Sequence, residues 1–279
     1  MRPDAPGSRR LLEGLFAGPS RGISRPRVPR LDILIAHNLG LSRGVVTRLC
    51  RSRRVTNPDG SVLNDPGLQV APGELPRTVH IDDEPHALRV AYHLMQHKPL
   101  GVVTALRDDR HATAYELLKE APLHRDLRAV GRLDRETSGL LLWTTEGPLL
   151  HRMTHPRYAV PRVYQAALSR RWQPVPERLE LEDGHVPEIV ELRALTREEL
   201  HPALEVPDGS TAFATITITG GKFHEVRRIF VALGSEVLGL CRVAFGPLTL
   251  PTTLAAGQYQ EMDLHAIFSG MHPRPPAAP

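Results

Sequence analysis

The chain has 279 residues and a mass of 30.9 kDa, room for one large domain or two modest ones whose core needs no metal. No apolar run approaches the roughly 20 residues of a membrane helix, and the charged start lacks the apolar stretch of a secretory leader. Cys50 and Cys241 stand far apart without knuckle-like neighbours, which excludes a disulfide scaffold or a zinc finger. A cytoplasmic, monomeric protein with no membrane partner is expected.

The net charge of +4 conceals an asymmetry. Residues 1–54 hold twelve Arg against three acids, and the remainder is mildly acidic. Such a basic arm suits a polyanion, and with no membrane signal the expected polyanion is nucleic acid. Residues 1–28, rich in Pro, Gly, Ser and Arg, are expected to be a flexible basic tail. From Arg30, the spacing of Leu31, Leu34 and Ile35 predicts a short helix stopped near Gly40. Ser42 suits the N-cap of a second helix with Val45, Val46 and Leu49 on its inner face. That helix carries Arg43, Arg48 and Arg51 and runs into Arg53 and Arg54. Val55-Thr56, the turn Asn57–Gly60 and Ser61–Leu63 then predict a hairpin. These elements fit a compact RNA-binding unit and equally fit a solvated charged helix.

Arg30-Leu31-Asp32, Ser42-Arg43 and Arg54-Val55-Thr56 resemble the S4 RNA-binding domain, with Asn57–Gly60 in place of its usual Val-Asn-Gly turn. The resemblance implies an S4-like domain over residues 29–84. It makes Arg30, Arg43, Arg48, Arg51, Arg53 and Arg54 candidate contacts to the RNA backbone, where guanidinium groups bind phosphate without reading sequence.

A linker is expected around Asp82–Pro85. Val90, Tyr92 and Leu94 predict a strand entering a turn at His97–Pro99, with Val102–Thr104 as the returning strand. Arg128–Val130 and Leu140–Thr144 read as strands flanking the loop Gly131–Gly139, and Val163–Leu168 and Phe213–Thr219 read as further strands. Val226, Ile229, Phe230 and Leu233 form the apolar stripe of a helix ending near Gly234. Strands outnumber helices and long crossover helices are scarce. The expected class is therefore α+β, a small α/β unit followed by a mixed, largely antiparallel sheet with flanking helices over residues 85–268. Residues 269–279 read as a Pro-rich tail.

No phosphate loop, Gly-x-Gly-x-x-Gly, His-Glu-x-x-His or Gly-x-Ser-x-Gly is present, and the fourteen histidines show no paired ligand spacing. No cofactor and no metal are expected. What remains is Asp134, between Arg132 and Arg135 in the Gly-bounded loop. Neighbouring positive charge would keep its carboxylate ionised, as a nucleophile requires. The same residues fit an Asp that caps its own turn beside solvated ion pairs.

Gly131-Arg132-Leu133-Asp134, Thr137-Ser138-Gly139, the apolar run Leu140–Trp143 and Thr144–Gly147 closely resemble the signature of ribosomal RNA pseudouridine synthases. Lys98-Pro99-Leu100-Gly101, Arg162-Val163-Tyr164, Gly221–Phe230 and Leu240–Gly246 resemble further blocks of that family in its order. The resemblance implies isomerisation of a uridine flipped out of folded ribosomal RNA, without a cofactor. It implies that Asp134 attacks the nucleotide, that Tyr164 stacks on the flipped base and helps move a proton, and that Arg227 is the basic partner of Asp134. Lys98, Arg132, Arg162 and Leu240 become candidate substrate contacts, Leu240 as pocket wall; Arg162 stands where the family usually has Lys. His224 and Ala255–Tyr259 look more like the small-subunit type, whose large-subunit relatives more often have Asn-Arg at 223–224. The expected substrate is 16S rRNA in a partly assembled small subunit, the alternatives being 23S rRNA or an inactive S4-type assembly factor.

Overall fold

The computed structural model describes residues 28–274, which fall into two compact units. The smaller holds the residues up to Tyr92 together with Glu120–Leu127; the larger holds residues 93–119 and everything from Arg128 onward.

In the smaller unit, α1 (Leu31–Leu39) and α2 (Arg43–Arg51) form as the spacing predicts. Gly40 ends the first, and Ser42 caps the second by accepting from the Val45 amide at 3.4 Å. Their inner faces bury Leu31, Leu34, Ile35, Val46 and Cys50 against Val79 and Leu88. Strands β1 (Val55–Thr56), β2 (Arg77–Ile81) and β3 (Glu84–Leu88) form one antiparallel sheet in that order. The expected linker at Asp82–Pro85 is therefore wrong. Asp82 and Asp83, at φ 52° and 69°, form the two-residue turn joining β2 to β3. The expected boundary at 84/85 falls inside this hairpin. Pro85 sits there without disrupting the sheet because β3 is an edge strand. His37 holds Glu120–Leu127 to this unit through Asp126, at 2.9 Å.

The larger unit is built on a mixed sheet in the order β12 (Tyr259–Glu261), β4 (His93–Lys98), β6 (Ser138–Thr144), β10 (Val237–Phe245), β7 (Arg162–Leu168), β9 (Ala212–Ile218), β8 (Ile189–Ala194). Only the β6–β10 pair is parallel. Short β5 (Arg128–Ala129) pairs with β6, and β11 (Leu248–Thr249) with β10. All of β6 is buried, as its unbroken apolar run requires of a central strand. Leu140, Leu142 and Phe245 pack there against α3 (Gly147–Thr154) and α5 (Leu264–Phe268) through Met153 and Phe268. The helix α4 (Glu225–Ala232) buries Val226, Ile229 and Phe230 as expected. Val102–Thr104 is not a returning strand. Val103 makes one isolated parallel bridge to Thr113, and the antiparallel partners of β4 are β6 and β12. The tail expected over 1–28 lies, apart from Val28, outside the described residues. Within the expected C-terminal tail, Met271 is buried in the core and the Arg274 amide donates to the Arg157 carbonyl at 2.8 Å, so the chain is tied to the larger unit as far as Arg274. No helix among the described residues is long and apolar enough to cross a membrane.

Candidate active site

The loop carrying Asp134 leaves and re-enters the sheet beside β6. Val130 donates to the Leu142 carbonyl at 2.8 Å, the chain turns out at Gly131, and it rejoins the sheet at Ser138. Leu133, 4% exposed, is fixed at both backbone groups by the Thr104 hydroxyl, which accepts from its amide at 3.1 Å and donates to its carbonyl at 2.8 Å. The Thr137 amide donates to the Asp134 carbonyl at 3.1 Å, closing the turn. Lys98 Nζ reaches from β4 to the carbonyls of Pro99 and Thr137 at 3.0 and 2.9 Å. The backbone under Asp134 is thus tied at several points. Its carboxylate is 29% exposed and accepts no hydrogen bond among the described residues. The side-chain cap of the turn that the sequence also allowed is not formed.

Facing this loop, β7, β10 and the start of α4 complete a cavity of about 270 Å³. Tyr164, 8% exposed, stands opposite Arg242 across the β7–β10 pair. Arg162 donates to the Thr219 carbonyl at 2.9 Å and to the Gly220 carbonyl. Arg242, 1% exposed, donates through Nε to the Leu140 carbonyl at 2.8 Å, and its buried Nη2 has no acceptor among the described residues. Both guanidinium groups lie 5.4 Å from the centre of the Phe245 ring. Neither has a carboxylate at ion-pair distance among the described residues, although Glu225 on the same wall attracts Arg162 from further away. A buried guanidinium left without a counter-charge is costly, which suits an acceptor-rich substrate.

Asp134, Tyr164, Arg227, Arg132, Arg162 and Leu240 all line this one cavity. Two expected roles need correction. Lys98 is fully buried, does not line the cavity, and braces the Asp134 loop from behind. Burial pushes its pKa down to about 8, against the opposing pull of Asp134 and Glu136. The expected Arg227–Asp134 ion pair is not formed. Arg227 donates to the carbonyls of Val237 and Glu136, both at 2.9 Å, because α4 places the guanidinium where it can bridge the start of β10 and the end of the loop. The basic side chain that comes nearest to Asp134 is His224, with Nε2 at 3.7 Å. His224 and Arg242 are the site residues that residue chemistry did not single out. Arg242 carries a signal, a lone guanidinium inside the apolar strand Val237–Phe245; His224 carries none, because it enters through a left-handed backbone at φ 49°.

Among the arginines expected to touch RNA, three are tied to carboxylates. Arg30 and Arg43 both donate to the buried Asp32, Arg30 Nε at 3.0 Å and Arg43 Nη2 at 2.9 Å. Burial raises the Asp32 pKa, but these two partners more than offset it and hold the carboxyl below its usual range. Arg54 Nε donates to Asp82 at 2.6 Å. Arg48, Arg51 and Arg53 are exposed without a carboxylate partner among the described residues.

The family model described as RNA pseudouridylate synthase matches residues 92–232. Ribosomal small subunit pseudouridine synthase A of Yersinia pestis is 32% identical over 86% of this chain and 97% of its own length. That of Escherichia coli K12 is 33% identical over 86% of this chain and 99% of its own. An uncharacterized RNA pseudouridine synthase of Bacillus subtilis is 32% identical over 85% and 98%. A crystal structure of a pseudouridylate synthase superposes with a TM-score of 0.50 at 28% identity, covering 85% of this chain and 97% of that one. With a matching family model and relatives aligned over nearly their whole length, the chain belongs to the RNA pseudouridylate synthase family and is a pseudouridine synthase.

Proposed function

We propose that this enzyme isomerises one uridine of ribosomal RNA, in the 16S molecule of a partly assembled small subunit, with Asp134 as its nucleophile. The observation that carries the reading is an Asp134 carboxylate that accepts no hydrogen bond among the described residues, in a cavity it shares with Tyr164. A side chain cannot reach the glycosidic bond of a stacked base, so the target is flipped into this cavity. Asp134 attacks the nucleotide and its bond to it breaks again before product leaves; over the cycle C1′–N1 breaks and C1′–C5 forms. The hydrogen on C5 leaves as a proton and N1 takes one up. Tyr164 stacks on the uracil and its phenol serves the proton transfer. Arg227 acts by holding the loop that presents Asp134, through the Glu136 carbonyl. Arg242 Nη2 and Arg132 offer donors to the nucleotide.

The small-subunit target is supported by relatives of that printed function, aligned over 97% and 99% of their lengths. Arg48, Arg51 and Arg53, on and just after α2, supply backbone contacts in the manner of an S4 domain. The test is tritium release from 5-tritiated uridine, with 16S transcripts and partly assembled small subunits beside 23S transcripts. Release from a single 16S position supports the reading. Release from 23S RNA alone moves the target to the large subunit, and release from neither points to an inactive assembly factor.

A further inference from the structure

Phe223 is the most exposed large hydrophobic side chain among the described residues, at 68%, and it stands on the rim of the cavity that holds Asp134. An exposed phenyl ring is ordinary on a mobile loop, but this one is held. The His224 ring stacks on it with centroids 3.8 Å apart and planes 16° from parallel. His224 itself sits at φ 49°, a left-handed conformation that a histidine keeps only where its surroundings impose it. The surroundings are visible. Glu225, 3% exposed, accepts from the Lys222 amide at 3.0 Å and pairs with His185 at 2.7 Å. A Cβ on Gly220 would lie 2.5 Å from the Glu225 carboxylate, so the segment packs closely on that anchor. The turn therefore presents a two-ring stack with one face of Phe223 open, at little ordering cost to a ligand.

Resting on the pseudouridine synthase reading, we infer that the open face of Phe223 is a stacking subsite for an unpaired base of the substrate RNA next to the flipped uridine. A nucleobase fits because every base has a π-face that stacks on an aromatic ring, and because Lys222 and Arg132 on the same rim favour its phosphates. His224 joins the subsite to the chemistry. Its ring covers the other face of Phe223 while its Nε2 stands 3.7 Å from Asp134.

The test uses the full chain carrying Phe223→Trp, whose emission is titrated with a single-stranded oligouridine and with an abasic strand of equal length. Anisotropy of the labelled strands follows occupancy to saturation, and the unsubstituted protein gives the background of Trp143 and Trp172. Saturable quenching by the oligouridine, absent with the abasic strand, is expected. Equal quenching by both strands, no quenching at saturation, or no saturable binding overturns the subsite. In turnover, Phe223→Ala is expected to raise KM for the RNA about tenfold with kcat within about twofold, and Phe223→Tyr to restore KM. An unchanged KM, or a loss confined to kcat, overturns it too. The quenching arm needs no turnover, so failure of the subsite is separable from failure of the 16S assignment.

Discussion

Gly139→Ala is expected to loosen the junction on which the active-site loop is hung. Gly139 is in β6, paired with Lys98 on one side and with Arg242 on the other, at φ 109°. An added Cβ would lie 2.3 Å from the Arg242 carbonyl oxygen, 2.7 Å from its nitrogen and 2.9 Å from Cys241 Sγ. Two of these atoms are backbone and cannot swing aside, so β6 and β10 must separate. The positive φ costs about 1–2 kcal/mol for a residue with a Cβ. Overpacking adds about 1–3 kcal/mol. The sum, about 2–5 kcal/mol, is a large share of the roughly 5–15 kcal/mol that holds a domain folded. For a unit of this size it lowers Tm by about 4–20 °C. Calorimetry of the larger unit's transition reads this directly. Gly131→Ala is the control, because Gly131 is also at positive φ, 74°, but has nothing within 4 Å of its added Cβ. It is expected to show the backbone cost alone, about 1–2 kcal/mol. A Gly139→Ala Tm within about 2 °C of the unsubstituted protein, or no lower than that of Gly131→Ala, would refute the steric argument.

Lys98 has its pKa depressed to about 8 by burial, so between there and the usual 10.5 the folded chain has released a proton the unfolded chain still holds. Stability of the unsubstituted protein relative to Lys98→Met is therefore expected to rise by on the order of 2–3 kcal/mol as pH climbs through that window; urea midpoints at pH 7 and pH 10.5 that move in parallel would contradict it. Arg227→Lys keeps the charge, but one ammonium does not reproduce the two-carbonyl bridge to Val237 and Glu136. It is expected to lower kcat by roughly 10²-fold with RNA affinity retained, read by single-turnover tritium release. Replacing Arg48, Arg51 and Arg53 by Ala is expected to reduce the slope of log affinity against log salt by about 2–3, measured by filter binding to a 16S fragment. An unchanged slope would remove α2 from the RNA surface.

Much of the site was legible because its segments are short and locally coded. The Gly131–Gly139 loop, the buried β6 and the amphipathic α4 each declare themselves through glycine punctuation or apolar spacing. The hairpin of β2 and β3 did not, since its tight turn uses Asp82 and Asp83 where glycine or asparagine would mark one, and Pro85 reads as a breaker. The pairing of β4 with β6 was also hidden. Val102–Thr104 is the nearer strand-like segment, and only the packed sheet decides between the two. Arg227 shows the limit at side-chain level. Sequence puts it on the helix facing the site, but the two carbonyls that capture its guanidinium come from β10 and from the loop end, and their approach is a tertiary fact. The same holds for His224, whose left-handed backbone no propensity foretells.

The central claim is that the Asp134 carboxylate carries the reaction. Asp134→Asn keeps the shape of the side chain and removes the charge. Because that carboxylate accepts no hydrogen bond among the described residues, the substitution is expected to cost the fold little. A nucleophile cannot be spared in the same way. The decisive measurement is tritium release from 5-tritiated 16S rRNA by Asp134→Asn, run beside the unsubstituted enzyme with RNA binding and Tm recorded on the same samples. The account predicts bound RNA, a Tm within a few degrees of the parent and no release above background. Release at a rate within about tenfold of the parent enzyme would contradict it and move the chemistry to another residue of the cavity.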